Sequence, residues 1–354
     1  MVNLDDMKTY ERVDSQGMRD RIAEMGRQLK EARDLVAAMP DPGPHYRDAQ
    51  NVVVLGMGGS AIGGDLVRTV AEDQATVPIL VSRDYRIPGF VGSNSLIVAS
   101  SYSGNTEETL SATREAMDRG AMLIAVTTGG SLGRMAGERG LPVLTFRYAA
   151  QPRAAAGFSF GLLLGLLAKL GYLDESRLGM EEAIEIATSN PLFLGPEAPA
   201  GDNLAKRLAL SIHGKLPVIY GAGILSEVAR RWKGQFNENS KAWACFEQLP
   251  EVNHNAVVGY ENAPDLAARL YVILLSSASY HPRVAARLRI TGEILQQRGV
   301  AHQVVEARGR GPLAQMVDSI MTGDYVSYYL AVLYGADPTP VKSIDYLKGE
   351  LAKL

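Results

Sequence analysis

The stretch Asn51–Leu66, NVVVLGMGGSAIGGDL, joins a strand pattern to a glycine loop and a helix pattern. Its apolar run VVVL is followed by the small residues GMGGS, and a helix can begin at Ala61. Because a helix N-terminus presents unpaired N–H groups and glycine lets an anion approach them, the stretch predicts an anion-binding loop, with phosphate as the obvious anion. The spacing of Gly56, Gly58 and Ala61 also fits a relaxed dinucleotide-binding pattern, so this loop leaves a nucleotide and a sugar phosphate open.

The composition predicts a soluble globular protein with room for two domains: 354 residues, of which 46% are apolar and 21% charged. A net charge of −3 gives no general electrostatic reason to bind nucleic acid or an acidic membrane surface. The single cysteine, Cys245, excludes an internal disulfide, and the N-terminus lacks a signal-peptide pattern, so we expect a cytoplasmic protein. The apolar segment 157–173 is too short to span a bilayer and predicts a buried helix, for which a subunit interface is one setting.

Apolar strand patterns alternate with helical patterns in the first half of the chain. We predict strands at 51–55, 78–82, 95–100, 121–127 and 142–146, with helices at 60–72, 105–119 and 131–139, preceded by one helical arm over 14–39. Helices between apolar strands are typical of a parallel α/β sheet.

The second half of the chain repeats the pattern of the first. PVIYGAGILSEVARR resembles VVVLGMGGSAIGGDL, and a second strand–loop–helix–strand unit follows in both halves. The fold prediction is therefore α/β, with two similar flavodoxin-like parallel-sheet domains and an N-terminal helical arm. We expect an arm at 1–48, a first domain at 49–175, a linker at 176–203, a second domain at 204–340 and a C-terminal helix at 341–354.

A serine-rich loop is the second local signal. The sequence SSYSGNT, residues 100–106, lies between the apolar strand pattern and a helix capped by Asn105 or Thr106. Its hydroxyl and N–H groups converge at the carboxyl end of a strand, where open α/β sheets bind ligands. An ordinary capped turn explains this loop taken alone, but together with the glycine loop it favours a phosphate site.

The motifs GMGGSAIGGD and SYSGNTEET resemble the sugar isomerase, or SIS, domain, whose serine and threonine loop holds a sugar phosphate. The elements RRWK, NENSK, NHN and DPTPVKSIDYLK extend the resemblance, over roughly residues 50–350, to the bifunctional phosphoglucose/phosphomannose isomerase family. The resemblance implies two SIS-type domains in a homodimer without cofactor or metal. It also implies an aldose–ketose isomerase that interconverts glucose 6-phosphate and mannose 6-phosphate with fructose 6-phosphate through a cis-enediol(ate).

Glu238 is the candidate base. Moving a proton between adjacent carbons requires a base such as a carboxylate, and Lys233, Lys241, Arg230 and Arg231 surround Glu238 in the sequence, where their charges can keep it ionised. A solvated, salt-bridged helix face fits the same residues equally well. The family resemblance favours the base.

Two further residues are candidates for opening the sugar ring. His254 lies between two asparagines whose amides can set its tautomer, and histidine exchanges protons near neutral pH. The resemblance assigns ring opening to His254 and Lys348, whereas Lys342 fits the motif less well. Without the family, a structural histidine and an exposed lysine on a last helix are the better readings.

The resemblance also implies roles for an arginine and for small hydroxyl residues. Arg153 matches the arginine that stabilises the enediolate, with Arg147 as the main competitor, and Thr339 matches the residue linked to tolerance of both C2 configurations. The residues expected to bind the substrate phosphate are Gly58, Gly59, Ser60, Ser101, Ser103 and Thr106.

Two other functions stay open at this point. A non-catalytic sugar-phosphate sensor needs the phosphate loops and none of the catalytic residues. An NAD(P)-dependent dehydrogenase is suggested by the glycine pattern together with Asp84, which lies somewhat late for the usual spacing of about 20 residues. The histidines show no metal-binding spacing, and no ATP-binding P-loop is present.

Overall fold

A computed structural model describes residues 2–262 and 264–353. The strands are β1 (Asn51–Leu55), β2 (Ile79–Ser82), β3 (Ser95–Ser101), β4 (Met122–Thr127), β5 (Val143–Thr145), β6 (Leu216–Ala222), β7 (Cys245–Leu249), β8 (Leu270–Ser276) and β9 (His302–Glu306). The helices are α1 (Met7–Val13), α2 (Met18–Ala23), α3 (Met25–Ala38), α4 (Gly58–Ala71), α5 (Glu107–Asp118), α6 (Gly130–Glu138), α7 (Ala156–Lys169), α8 (Met180–Ser189), α9 (Pro191–Leu194), α10 (Leu204–Ile212), α11 (Ser226–Glu238), α12 (Pro264–Ala267), α13 (Pro282–Gln297), α14 (Pro312–Tyr334) and α15 (Lys342–Leu351).

Two parallel sheets form the framework, which confirms the predicted fold class. The first has the order β2-β1-β3-β4-β5, the flavodoxin order, and the second has the shorter equivalent β7-β6-β8-β9. In the first sheet Val52 pairs with Ile79 on one side and Leu96 on the other, and strand β3 is buried along its whole length. Continuous aliphatic strands are required here because helices cover both faces of such a sheet.

The two sheets point in opposite directions, as the contacts between α4 and α11 show. Arg68, near the end of α4, pairs with Glu227, near the start of α11, at 2.8 Å. The other ends of the two helices meet through residues 152 and 153. A Cβ at Gly59, at the start of α4, would lie 2.9 Å from the carbonyl oxygen of Pro152. The adjacent Arg153 contacts Glu238, the last residue of α11. Each helix follows the first strand of its sheet. The carboxyl edge of the first sheet therefore lies beside the amino edge of the second.

Helix α7 is buried by the N-terminal arm of the same chain. Gly157, Gly161 and Gly165 form a stripe on α7 against α3, and Cβ atoms at these positions would lie 2.6 to 3.3 Å from Gln28, Ala32 and Val36. The segment 157–173 thus contains a buried helix, as predicted, and within the chain α7 packs against α3 and α4. The arm itself is three helices, not one: Gly17, with a left-handed φ of 69°, separates α1 from α2, and Glu24 separates α2 from α3.

Two elements of the second half lie outside the sequence prediction. Helix α14, 23 residues long, is buried along nearly its whole length and packs against α8, α10 and α11. Strand β7 pairs with β6 at the edge of the second sheet. Among the residues described, none of the helices has the combination of length and apolar character needed to cross a membrane.

The glycine stripe of α7 leads to a stability prediction. Gly161→Val should lower the free energy of unfolding by about 1–3 kcal/mol, because its Cβ would lie 2.9 Å from Cβ of Ala32 and α3 would have to move. Gly137→Val is the matched control on α6, where the added Cβ meets no atom within 4 Å. Urea unfolding measures both variants, and equal stabilities would contradict close packing of the arm on α7.

Candidate active site

The first sheet has a crevice at the carboxyl ends of β1 and β3. Strand order reverses between these neighbours, since the chain leaves β1 towards β2 on one side and leaves β3 towards β4 on the other. The two following helices, α4 and α5, therefore diverge and leave a ligand-binding crevice between their N-termini. The glycine loop and the SSYSGNT loop both border this crevice, as the sequence predicted.

The glycine loop presents free N–H groups to the crevice. Ser60 and Ala61 both donate their N–H groups to the carbonyl oxygen of Met57, at 3.1 and 3.3 Å. The N–H groups of Gly58 and Gly59, in the first turn of α4, have no partner within the described parts of the chain. Ser60 is buried and its Oγ accepts the Tyr102 N–H at 3.2 Å, so its hydroxyl ties the two loops together.

The serine loop is held in shape by its own hydroxyls. The buried Ser101 Oγ contacts Thr106 Oγ1 at 2.9 Å and accepts the Gly104 N–H at 3.1 Å, whereas Ser103 is exposed. Gly104 has φ 67°, and a Cβ there would lie 1.9 Å from the carbonyl oxygen of Gly129, so this position requires glycine. Ser103 and Thr106 are therefore the hydroxyls of this loop nearest to solvent, and Ser101 acts mainly as a brace.

The equivalent crevice of the second sheet is filled by a side chain. Tyr280, which follows β8, is buried; its hydroxyl donates to the carbonyl oxygen of Leu275 at 2.9 Å and accepts the Ala222 N–H at 3.3 Å. Its ring lies 3.8 Å from the Cβ position of Gly223. Tyr102, in the first half, instead accepts the Ala150 N–H with its hydroxyl, away from the glycine loop. The two halves are thus alike in fold but only the first keeps an open crevice.

Arg153 and Glu238 meet at the same end of the molecule as the open crevice. Arg153 is 3% exposed, and its Nη1 lies 3.4 Å from Oε2 of the partly exposed Glu238. Its Nε donates to Asn239 Oδ1 at 2.7 Å, and its Nη2 donates to the carbonyl oxygens of Pro338 and Thr339, both at 2.7 Å. Burial lowers the pKa of the Arg153 guanidinium, and the charge of Glu238 opposes that shift. The competitor Arg147 is exposed and forms none of these contacts.

Two of the cations that the sequence placed around Glu238 are engaged elsewhere. Arg230 pairs with Glu227 at 2.7 Å, and Arg231 pairs with the buried Asp324 at 2.6 Å. The reason is helical geometry: neighbouring residues on α11 point to different faces. The cation that faces Glu238 most directly is Arg153, from the other half of the chain.

Glu238 lines a cavity of about 570 Å³ that fits a small ligand. Lys241, Asp337, Pro340 and Lys342 also line it. Lys241 donates its ammonium to the carbonyl oxygen of Glu238 at 2.8 Å. Desolvation, followed by the charge of Arg153, lowers the pKa of Lys241 to about 8. The cavity therefore has both a carboxylate and an amine that titrates near neutral pH.

Thr339 lies on the other side of the Arg153 guanidinium. It is buried, its N–H donates to Asp337 Oδ1 at 2.9 Å, and its Oγ1 has no partner among the residues described. It lines a second cavity, of about 430 Å³, together with Tyr102 and with Arg21 of the arm. Arg153 thus contacts a lining residue of each cavity, Glu238 and Thr339.

The structure does not bring His254 to Glu238 within one chain. His254 follows β7 at the carboxyl edge of the second sheet, whereas Glu238 lies at the amino edge, roughly 15 Å away along the strands. The flanking asparagines do not set its tautomer as expected, because Asn253 donates to Thr291 at 2.8 Å and Asn255 to Glu251 at 2.9 Å. His254 is exposed.

Lys348 lies on the exposed helix α15. Among residues 2–262 and 264–353 its side chain forms no hydrogen bond or ion pair. The start of the same helix lies closer to the candidate base, since Lys342 and Ile344 line the Glu238 cavity. Within a single chain the structure thus places Lys342, and not Lys348, at this cavity.

Sequence reasoning missed the buried residues behind Arg153. Asn239 was noted only as part of the NENSK motif, and Ser327 and Asp324 on α14 were not identified. The signal that could have found them is the presence of several polar residues on a long buried helix, since buried polar groups need partners.

A duplicated flavodoxin-like fold with a serine–threonine loop at its first switch point defines a SIS-type sugar-phosphate isomerase fold. The family described as "Bacterial phospho-glucose isomerase C-terminal SIS domain" matches residues 201–351. A bifunctional phosphoglucose/phosphomannose isomerase from Caldicellulosiruptor bescii is 45% identical over 87% of this chain and 91% of its own length, and one from Aquifex aeolicus is 38% identical over 86% and 91%. A hypothetical protein of Thermus thermophilus has a similar fold, with a TM-score of 0.75, 16% identity and coverage of 98% of this chain and 92% of its own.

The chain therefore belongs to the bifunctional phosphoglucose/phosphomannose isomerase family, and it is an isomerase. This confirms the family that the sequence motifs indicated.

The Lys241 ammonium offers a direct test of the site electrostatics. In NMR titrations of labelled lysine, Lys241 should titrate near pH 8, and Arg153→Gln should raise its pKa because a nearby positive charge is removed. Glu238→Gln should lower the same pKa, because a stabilising negative charge is removed. Shifts of the same sign in both variants would contradict the arrangement.

Proposed function

We propose that this enzyme interconverts glucose 6-phosphate and mannose 6-phosphate with fructose 6-phosphate through a cis-enediol(ate). The observation that carries the proposal is the contact between Glu238 and the buried Arg153, at the mouth of a cavity and at the same end of the molecule as the open phosphate crevice. This arrangement supplies a base, a cation for the intermediate and an anchor for the phosphate.

Glu238 acts as the base in this mechanism. Its carboxylate removes the proton from C2 of the open-chain aldose and returns it to C1, while the C1 carbonyl oxygen gains a proton and the C2 hydroxyl loses one. Return of the proton to either face of C2 in the reverse direction gives the glucose or the mannose configuration. Thr339, whose buried Oγ1 has no partner among the described residues, is our candidate for accommodating both.

Arg153 stabilises the negative charge of the enediolate. Three of its N–H groups are held by Asn239 and by the carbonyl groups of residues 338 and 339, so the guanidinium is fixed before substrate binds. A preorganised donor of this kind typically contributes about 100- to 1000-fold to the rate. Nη1, which contacts Glu238, is the atom that faces the reacting carbons.

The phosphate is bound in the crevice of the first sheet. The N–H groups of Gly58 and Gly59, the N-terminus of α4 and the hydroxyls of Ser103 and Thr106 can all donate to a phosphate dianion. Ser60 and Ser101 hold the two loops in position.

A second copy of the chain completes the site. Ring opening needs a proton donor near C1 and O5, a role we assign to His254 with Lys348. Since His254 lies at the opposite edge of the second sheet from Glu238, its imidazole can reach that cavity only from another subunit. In a symmetric homodimer, the His254 of each subunit can reach the Glu238 cavity of the other subunit.

The proposed base leads to a specific kinetic prediction. Glu238→Gln should reduce turnover of both glucose 6-phosphate and mannose 6-phosphate by about 1000-fold, in coupled assays with EDTA present, because the amide cannot accept the proton. Glu293→Gln is the control, since Glu293 lies exposed on α13 and pairs with Arg289. Near wild-type turnover of Glu238→Gln would make the base assignment wrong.

Calorimetry combined with NMR distinguishes an enzyme from a non-catalytic sensor. If calorimetry detects sugar-phosphate binding to the wild-type protein while NMR detects no product from either aldose phosphate, the proposed reaction is wrong. If the wild-type protein converts glucose 6-phosphate but not mannose 6-phosphate, only the bifunctional part of the proposal is wrong.

The shared site predicts complementation between inactive subunits. When Glu238→Gln and His254→Gln proteins are mixed and allowed to exchange subunits, each hybrid dimer has one site with both residues intact. Random exchange should restore about a quarter of the wild-type activity, because half of the dimers are hybrids with one working site. Mixed proteins that stay inactive, although mass spectrometry shows hybrid dimers, would place His254 outside the site.

A further inference from the structure

The residues behind Arg153 form a closed hydrogen-bonded ring, which we call the Arg153 ring. Its members are Arg153, Asn239, Ser327, Asp324 and Arg231, and each is less than 10% exposed. Two members lie on α14, at the core of the second half, and Arg153 comes from the first half.

The ring can be followed atom by atom. Arg153 Nε donates to Asn239 Oδ1 at 2.7 Å, and Asn239 Nδ2 donates to Ser327 Oγ at 3.0 Å. Ser327 Oγ donates to the main-chain carbonyl oxygen of Asp324 at 2.8 Å. The Asp324 carboxylate accepts two contacts from Arg231 Nη2, at 2.9 and 2.6 Å, and the same Nη2 donates to the main-chain carbonyl oxygen of Arg153 at 3.1 Å.

We infer that Ser327 and Asp324 are positioning residues, which orient the Arg153 guanidinium towards the reacting carbons. The ring fixes Arg153 at two points, its side-chain Nε and its main-chain carbonyl group, and both points are connected to one turn of α14. Neither Ser327 nor Asp324 lines the Glu238 cavity, so they act only through Arg153. This inference rests on the role proposed for Arg153.

The contacts within the Arg153 ring explain why Ser327 and Asp324 are needed at their positions. The Ser327 hydroxyl accepts from Asn239 and donates to Asp324, so alanine breaks the ring at one point and leaves the Asn239 amide without its acceptor. Asp324 also accepts from Gln235 at 2.8 Å, which fixes the carboxylate from a second direction.

The test compares two serines on the same helix. Ser327→Ala should lower kcat/KM by about 10-fold, because a small displacement of a catalytic group is costly. Ser319→Ala is the matched control, since Ser319 is equally buried on α14 and its Oγ has no partner among the residues described.

Inhibitor binding distinguishes positioning from general destabilisation. Arabinonate 5-phosphate, an enediolate mimic with a carboxylate, should bind Ser327→Ala about 10-fold more weakly, whereas sorbitol 6-phosphate should bind within about 2-fold of wild type. A structural role alone would weaken both ligands alike or neither. Asp324→Asn should show the same selectivity with a larger loss, and Ser327→Ala keeps the test valid if Asp324→Asn fails to fold.

Two results would overturn the inference. One is Ser327→Ala matching Ser319→Ala in kcat/KM and in both affinities. The other is a crystal structure of Ser327→Ala in which the Arg153–Asn239 contact of 2.7 Å is unchanged. This second measurement does not use activity, so the inference can fail while the proposed function stands, and it can be tested even if the wild-type enzyme has another substrate.

Discussion

The buried guanidinium of Arg153 is the constraint on which the site depends. A charge removed from water costs several kcal/mol unless its donors are satisfied and a counter-charge is near. Its donors are satisfied by Asn239 and by two carbonyl groups of the segment that precedes α15, and Glu238 supplies the counter-charge. Arg153 lies in the first half of the chain, and all of these partners lie in the second half. Docking of the halves and assembly of the site are therefore one event.

The opposite directions of the two sheets decide which residues share a site. Because α4 and α11 lie side by side and antiparallel, the carboxyl edge of the first sheet meets the end of α11, so the phosphate crevice and Glu238 lie together. The same arrangement carries His254 to the far end of the second sheet. In the homodimer that we propose, each chain therefore contributes residues to two sites.

The sequence was most informative where local pattern and tertiary environment agree. Strands β1 and β3 and the loops that follow them are continuous apolar runs that end in glycine and serine, and these were predicted within one or two residues. Strand β7 was missed because CFEQL, at a sheet edge, has little alternation. Helix α14 was missed because it is buried on all faces and therefore has no amphipathic period. The spatial neighbours of Glu238 could not be predicted from the sequence, since Arg153 lies 85 residues away along the chain.

In the mechanism that we propose, one half binds the phosphate and the other half supplies the base, and the duplicated fold accounts for this division. Both halves have a strand–loop–helix unit with a crevice beside it, but Tyr280 fills the second crevice and thereby stabilises the loop without a ligand. The Tyr280 hydroxyl is satisfied by two main-chain groups, whereas the N–H groups of Gly58 and Gly59 in the first half have no partner among the described residues. The proposed role of Glu238 depends on how firmly α11 is packed, because a base at the end of a helix is only as well positioned as the helix itself. In the proposed mechanism the second half therefore needs no ligand in its own crevice, and it contributes the carboxylate of Glu238 instead.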